Sequence, residues 1–239
     1  MRVFDISPTL SPRTAVFPGD VAFKRDVSMS FEAGHHLGLS SISTTLHIGA
    51  HADSSSHYSS HGEGIDRRGL GHYVGRAYVA RAKVARGERV RFEDLSDLAR
   101  RNIESNEELP SKFLVWTGTF PDPSHWNSDF ASYDPALIER LAARGVITIG
   151  IDTPSIDPET SKALESHHTI ERLNLAVLEG LCLDGVPEGE YTLMAQPLKI
   201  EGGDAGPVRA ILFDGRLVES NLQLPLSFTW IECEKKPKP

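Results

Sequence analysis

Cysteine is scarce in this chain. Its 239 residues hold two, Cys182 and Cys233, too few for a disulfide framework, and a reducing, cytoplasmic setting is the simpler expectation. Long apolar runs are also missing. Nothing approaches the roughly 18 consecutive apolar residues of a membrane span, and the opening MRVFDISPTLSP lacks the apolar core of a signal peptide. Basic charge is in deficit, with 25 Lys and Arg against 33 Asp and Glu for a net charge of −8. No basic stretch is interleaved with aromatics, so nucleic acid and anionic membrane are excluded as expected partners. Internal repeats and low-complexity tracts are absent too. A chain of this length buries about 70% of its unfolded surface, so it needs no metal merely to fold. Residues 1–239 are expected to form a single domain, and any metal site in it would be functional.

Histidine, by contrast, is concentrated. Positions 35, 36, 47, 51, 57 and 61 carry six of the ten histidines, and a further pair stands at 167 and 168. Around them the pattern alternates between strand and helix. Residues 7–20, rich in Pro and Gly, read as turns and extended chain. Residues 37–47, with Ile42, Thr44 and Leu46 in rough alternation, predict a strand that delivers His47 at its end. The following HIGAHADSSSHYSSHGEG has the composition of a loop. Strands are predicted over 79–84, 113–117, 146–151, 176–183, 191–200 and 208–213. Helices are predicted over 92–105, 135–144 and near 169–174, the first two with charges, Pro or Gly suited to helix ends. Residues 228–233 suit one more strand, and the closing KKPKP reads as disordered. Mixed strands with a few helices predict an α/β domain.

The chemistry concentrates in His47-x-Gly49-x-His51-x-Asp53-x-x-x-His57. Imidazoles and carboxylates suit zinc or a similar divalent ion. In extended chain, residues 47, 49, 51 and 53 share a face because side chains alternate with period two. Gly49 then leaves room for an ion and permits unusual backbone angles. The competing reading is a polar surface loop with incidental histidines. Further ligands would have to come from elsewhere. Taken alone, the segment Glu165-Ser-His167-His168 with Glu179 looks like a helix start and a surface glutamate. Glu179, however, lies in the apolar run Ala176-Val-Leu-Glu179-Gly-Leu, and a carboxylate on a buried strand should be paired or bound to metal.

The motif His47-Ile-Gly-Ala-His51-Ala-Asp53-Ser-Ser-Ser-His57-Tyr58 resembles the signature of the cyclase-like metal hydrolases that include the bacterial kynurenine formamidases. Further stretches resemble that family in the same order. They are Phe4-Asp-Ile-Ser7 with Val16-Phe-Pro-Gly-Asp20, then Gly150-Ile-Asp-Thr-Pro-Ser-Ile-Asp-Pro158, then His167-His168 with Leu178-Glu-Gly180, and lastly Pro197-Leu with Pro207-Val-Arg209-Ala. The likeness spans about residues 3–213, leaving 214–239 as a divergent C-terminal extension. Ordered motifs at matching spacing are far more specific than one motif alone.

The resemblance implies a swivelling β/β/α domain with a mixed sheet and flanking helices, acting as a homodimer or higher homo-oligomer. It implies two divalent metal ions per subunit, zinc first, with manganese or cobalt also suited. His47, His51 and Asp53 match ligands of the first ion, with Asp53 bridging to the second. His167 and Glu179 match ligands of the second, His167 being preferred to His168 on the family's spacing to Glu179. His57 matches the catalytic acid/base. The implied reaction is hydrolysis of N-formyl-L-kynurenine, an aryl formamide, to L-kynurenine and formate in tryptophan degradation. Alternatives are a related hydrolase of another small aryl or cyclic amide, such as an isatin hydrolase, and an inactive metal-binding homologue. The chain departs from the family pattern at Ser55, where proline is usual, and at Phe17, where the substrate-stacking aromatic is usually tryptophan. Phe17 can stack on an aniline ring but reads equally as a core residue. Residues 105–134 are less recognisable.

Overall fold

The computed structural model describes residues 2–214 and 230–231. In chain order, β1 (Val3–Asp5) is followed by a hairpin of β2 (Lys24–Met29) and β3 (Leu39–Ser43), then by β4 (His51–Asp53) and β5 (Val74–Arg81). Next come β6 (Arg89–Val90), α1 (Asp97–Glu104), β7 (Lys112–Trp116), β8 (Ser132–Tyr133), α2 (Pro135–Ala142) and β9 (Thr148–Ile151). The chain continues through α3 (Glu165–Arg172), β10 (Ala176–Glu179), β11 (Gly189–Met194), β12 (Ala205–Pro207) and β13 (Ile211–Phe213) to β14 (Trp230–Ile231).

Among the described residues, ten strands form one mixed sheet in the order β12-β4-β10-β9-β7-β5-β11-β13-β1-β14. Its middle, β10-β9-β7-β5, is parallel. The strands β7, β9 and β10 read KFLVW, TIGI and AVLE and are buried almost throughout, as parallel strands covered on both faces must be. On one face Phe113, Val115, Ile149, Ile151 and Val177 pack with Leu137, Ile138, Leu141 and Ile170 of the helices. On the other, Leu114, Val79 and Leu178 meet Phe4, Ile6, Ala52, Leu193 and Leu212. That second cluster draws side chains from strands near both ends of the sheet, because the sheet curls over its own middle. Backbone bonds hold the curl: Val208 N–H donates to the Ala50 carbonyl at 2.9 Å, and Cys182 N–H to that of Ile6 at 2.8 Å. The result is the expected β/β/α layering.

Three local expectations are corrected. The strand over 37–47 stops at Ser43, and among the described residues β3 pairs only with β2, in an exposed hairpin. His47 therefore lies in a bend between β3 and β4, in which Gly49 turns the chain at φ +56°. The supposed loop after His47 contains β4, a fully buried strand of the main sheet. Third, α3 begins at Glu165, earlier than the apolar spacing suggests. Its N-cap position, Leu164, has φ +46° and no side-chain capping bond. The Asp157 carboxylate, outside the helix, accepts the Ser166 and His167 N–H groups instead. By contrast α2 starts where the sequence predicts, on an Asp134 cap with Pro135 at the first turn. Of the expected strand over 228–233, Trp230–Ile231 form β14, paired parallel with β1, and the rest lies outside the described residues. The expectation for KKPKP lies outside the described residues.

Candidate metal centre

The polar cluster gathers where β10 ends. The antiparallel ladder between β4 and β10 sets His51 opposite Glu179 and Ala52 opposite Leu178. On the other side of β4, β12 sets Ala205 opposite Asp53. Alternation then puts His51 and Asp53 on one face and sends Ala52 into the apolar core. Two turns must touch to allow this. Gly180 has φ +64°, and a Cβ there would lie 2.1 Å from the Gly49 carbonyl oxygen. Only glycine fits that approach.

Distant segments converge on these residues. His51 Nε2 lies 3.2 Å from Glu179 Oε2 and 3.4 Å from Asp53 Oδ1. His167 Nε2, from α3, lies 3.4 Å from Asp53 Oδ2 and 3.7 Å from Glu179 Oε1. His47 Nδ1 lies 3.0 Å from Asp53 Oδ1. The His57 ring stands 4.1 Å from that of His47, centre to centre. Helix α3 turns His168 outward, where its ring meets Glu171.

The outer nitrogens of two of these rings are pinned. His51 Nδ1 donates to the Gly49 carbonyl at 2.9 Å, and His167 Nδ1 donates to Asp157 Oδ2 at 2.8 Å. Arg89 in turn pairs with Asp157 at 3.0 Å. Each ring thus presents Nε2 to the centre, the arrangement that outer partners give to metal-binding histidines. The inward atoms meet no one properly. Nε2 of His51 and His167 and both carboxylate oxygens of Asp53 are buried without a hydrogen bond of acceptable geometry. Orphaned buried polar atoms are costly, and bound cations would give them partners. Among the described residues, two groups have ligand atoms mutually within 4.8 Å: His47, Asp53 and His57, and His51, Asp53 and Glu179. Asp53 belongs to both. The residues therefore fit divalent ions, and His57 is near enough to serve as a ligand or as a proton carrier.

Protons occupy the same balance when no cation is bound. Burial alone would lower His51 and His167, but the carboxylates facing them, Asp53 and Glu179 around His51 and Asp157, Asp53 and Glu179 around His167, push each imidazole up to about 10. Burial opposes ionisation of Asp53, yet three imidazoles hold it well below the carboxylate range. His57, whose side chain is 37% exposed, is lowered by burial.

Two neighbours of the cluster were not singled out from sequence. Asp157 lies in a Pro-containing stretch that reads as a turn, and Asp204 in a Gly-rich one. Asp204 Oδ2 accepts from His47 Nε2 at 3.0 Å and stands 3.8 Å from His57 Nδ1. Phe17 is 48% exposed, which removes the core reading, and its ring meets Trp126 edge-on at 5.5 Å. A surface cavity of about 620 Å³ at the ends of β5 and β7 is lined by Arg81, Glu93, Asp94, Ser96, Trp116 and Thr117 among others. No histidine is among its lining residues. No helix among the described residues is long and apolar enough to cross a membrane.

Comparison with known proteins agrees with this geometry. The family model described as "Putative cyclase" matches residues 4–158. The kynurenine formamidase of Delftia acidovorans is 42% identical over 88% of this chain and 97% of its own length, and that of Bordetella pertussis is 41% identical over the same shares. Among solved structures, one titled "Potential Metal-Dependent Hydrolase With Cyclase Activity" superposes with a TM-score of 0.74 at 24% identity, covering 90% of this chain and 98% of that one. An isatin hydrolase bound to the product analogue thioisatinate superposes at 0.72 with 18% identity, covering 88% and 91%. These two likenesses speak to the fold. The chain belongs to the cyclase family, alongside the bacterial kynurenine formamidases.

Proposed function

We propose that this chain is a metal-dependent arylformamidase that hydrolyses N-formyl-L-kynurenine to L-kynurenine and formate. One observation carries the proposal: buried, orphaned imidazole and carboxylate atoms converge from two distant segments on a common focus, in a chain 42% identical to kynurenine formamidases. We assign His47, His51 and Asp53 to a first ion, and His167 and Glu179 to a second, with Asp53 and Glu179 shared. Zinc suits this donor set first, with manganese or cobalt also compatible. When bound, such ions supply a Lewis acid for the formamide carbonyl and lower the pKa of water towards about 7.

The side chains supply the rest. Burial lowers the pKa of His57, which favours the neutral imidazole that accepts a proton from the attacking water. As the C–N bond breaks, the same nitrogen returns that proton to the arylamine, which otherwise would leave as an unstable anion. Gly49 and Asp157 hold His51 and His167 in fixed orientation. Phe17, half-exposed beside Trp126, is assigned to stack on the substrate's aniline ring. Residues 1–239 are taken as a single hydrolase domain, supported by the main sheet, which draws together strands from early and late in the described residues. A homodimer or higher homo-oligomer is part of the same proposal, supported by Val27, Phe31, Leu39 and Ile42, all more than half exposed on or beside the β2–β3 hairpin. Sedimentation of the purified chain tests that point. A cytoplasmic location is included, supported by the low cysteine content.

The test follows loss of formyl-kynurenine absorbance, with isatin assayed in parallel and with chelator as control. His57→Ala should keep its metal and lose about 10²–10⁴-fold in turnover, the usual contribution of general acid–base catalysis. Full activity in that variant, or in metal-free protein, overturns the assignment. Turnover of isatin alone replaces the substrate with a cyclic amide, and turnover of neither marks an inactive homologue.

A further inference from the structure

Asp204 is placed with more care than a surface carboxylate requires. Its carbonyl oxygen accepts Ser54 N–H at 2.9 Å and Ser54 Oγ–H at 3.0 Å. The preceding carbonyl, of Gly203, accepts Ile65 N–H at 2.8 Å. The next residue, Ala205, pairs with Asp53 across the β12–β4 ladder. The backbone of Asp204 is therefore locked to the strand that carries His51 and Asp53. From there its Oδ2 reaches between two imidazoles, 3.0 Å from His47 Nε2 and 3.8 Å from His57 Nδ1.

We propose that Asp204 is a positioning residue for His57, fixing which nitrogen of that imidazole faces the substrate, while it steadies the outer nitrogen of His47. The proposal rests on the reading of His57 as the proton carrier. An imidazole has two nitrogens, and acid–base work needs one of them turned to the reacting atoms with a defined protonation state. A carboxylate beside Nδ1 favours the tautomer with hydrogen there and leaves Nε2 as the acting nitrogen. At 3.8 Å the contact to His57 is electrostatic rather than a hydrogen bond. Such contacts commonly tighten once substrate is bound. His47 already uses its other nitrogen towards Asp53, so the carboxylate serves two rings without competing for the centre itself.

The experiment compares Asp204→Asn, Asp204→Glu, His57→Ala and the double variant Asp204→Asn/His57→Ala as holoenzymes. It measures metal per subunit, melting temperature, and kcat and KM separately. Asp204→Asn should fold, keep its metal, hold KM within about threefold and lose about 10–100-fold in kcat, the range typical of outer-sphere partners. Asp204→Glu should recover part of that loss. The double variant should be no slower than His57→Ala alone, because residues acting through one another are not additive. A wild-type kcat in Asp204→Asn overturns the proposal. So does a loss that tracks metal content, which would make Asp204 a support of His47 only, and so does a double variant slowed by the full product of both factors. His57→Ala at the wild-type rate removes the proton-carrier reading and the proposal with it. An inactive His57→Ala beside an unimpaired Asp204→Asn removes the proposal alone.

Discussion

Asp157→Asn isolates one carboxylate that serves both the helix and the candidate metal centre. Asp157 accepts three N–H donors: the His167 ring at 2.8 Å, the His167 backbone at 3.0 Å and the Ser166 backbone at 3.1 Å. It also stands at the start of α3, where negative charge is favoured by about 0.3–1 kcal/mol. Asparagine keeps one acceptor oxygen and places an NH2 group against donors. Arg89 retains Glu165, Ser166 and the Tyr133 carbonyl, so its guanidinium is not stranded. Losing one or two hydrogen bonds to a charged group, at about 1.5–3 kcal/mol each, puts the cost near 2–4 kcal/mol. At about 2–4 °C per kcal/mol for a domain of this size, melting should fall by roughly 5–15 °C. The measurement belongs on metal-free protein, because bound metal adds its own stabilisation. Competition with a chromophoric chelator should then show metal affinity reduced about 10–100-fold, since His167 loses the acceptor that fixes its tautomer. The pH dependence has a definite sign. Burial opposes ionisation of Asp157, but hydrogen bonds from His167 outweigh it and hold the carboxyl well below the usual range. Its contribution is present above the unfolded value of about 3.9 and is lost as pH falls through the folded one. The gap between wild type and variant should therefore be full above about pH 5 and narrow below about pH 4. Equal midpoints within a degree, together with equal metal affinity, would refute the reasoning.

Three further outcomes follow from the geometry. In metal-free protein, the raised imidazoles of His51 and His167 contribute stability that is complete below the unfolded value of about 6.5 and lost as pH rises through about 10. Melts in chelator should thus decline over that window, metal should flatten the decline, and calorimetry in two buffers should show protons released on binding; uptake without proton release contradicts the account. Gly180→Ala combines a φ of +64° with a Cβ 2.1 Å from the Gly49 carbonyl, costing about 2–5 kcal/mol from the left-handed backbone and the overlap together. Its soluble fraction should melt lower and bind metal less well, and a neutral result would mean the two turns part easily. Phe17→Ala should raise KM for the aryl formamide several-fold with little change in metal content; an unchanged KM removes Phe17 from the substrate's path.

The sequence discloses the half of this site that is contiguous. His47, His51, Asp53 and His57 sit within eleven residues, so spacing alone suggests convergence. Glu179 is legible for a different reason, as a carboxylate in a run whose neighbours are all apolar. What stays hidden depends on the remainder of the fold. β4 is three residues long, flanked by Ala50 and Ser54, and exists as a strand because β10 and β12 pair with it on both sides; no local propensity announces it. Helix α3 has no capping residue of its own, so neither its start nor the inward turn of His167 over His168 can be read from periodicity. Asp157 and Asp204 lie in turn-like sequence, where carboxylates are common for reasons unrelated to chemistry. In sheet terms the overextended strand at 37–47 is the mirror case: its alternation is real, but it belongs to an exposed hairpin that ends before the histidine.

The same ladder that closes the sheet also assembles the centre. Glu179 and His51 are partners across β10 and β4, and Asp53 is the partner of Ala205 across β4 and β12. A register slip of one residue in β4 would turn His51 and Asp53 into the apolar core and put Ala52 at the focus. Such a slip buries two polar side chains without partners, so core packing enforces the register that the chemistry requires. The enforcement runs the other way too. In the absence of a cation Asp53 and its imidazoles meet only through long contacts of poor geometry, so a metal held as proposed would strengthen the pairing of β4. Stability at this edge and occupancy of the centre are therefore one linked equilibrium, and a change that loosens the β4–β10 pairing should weaken metal binding even where it touches no ligand.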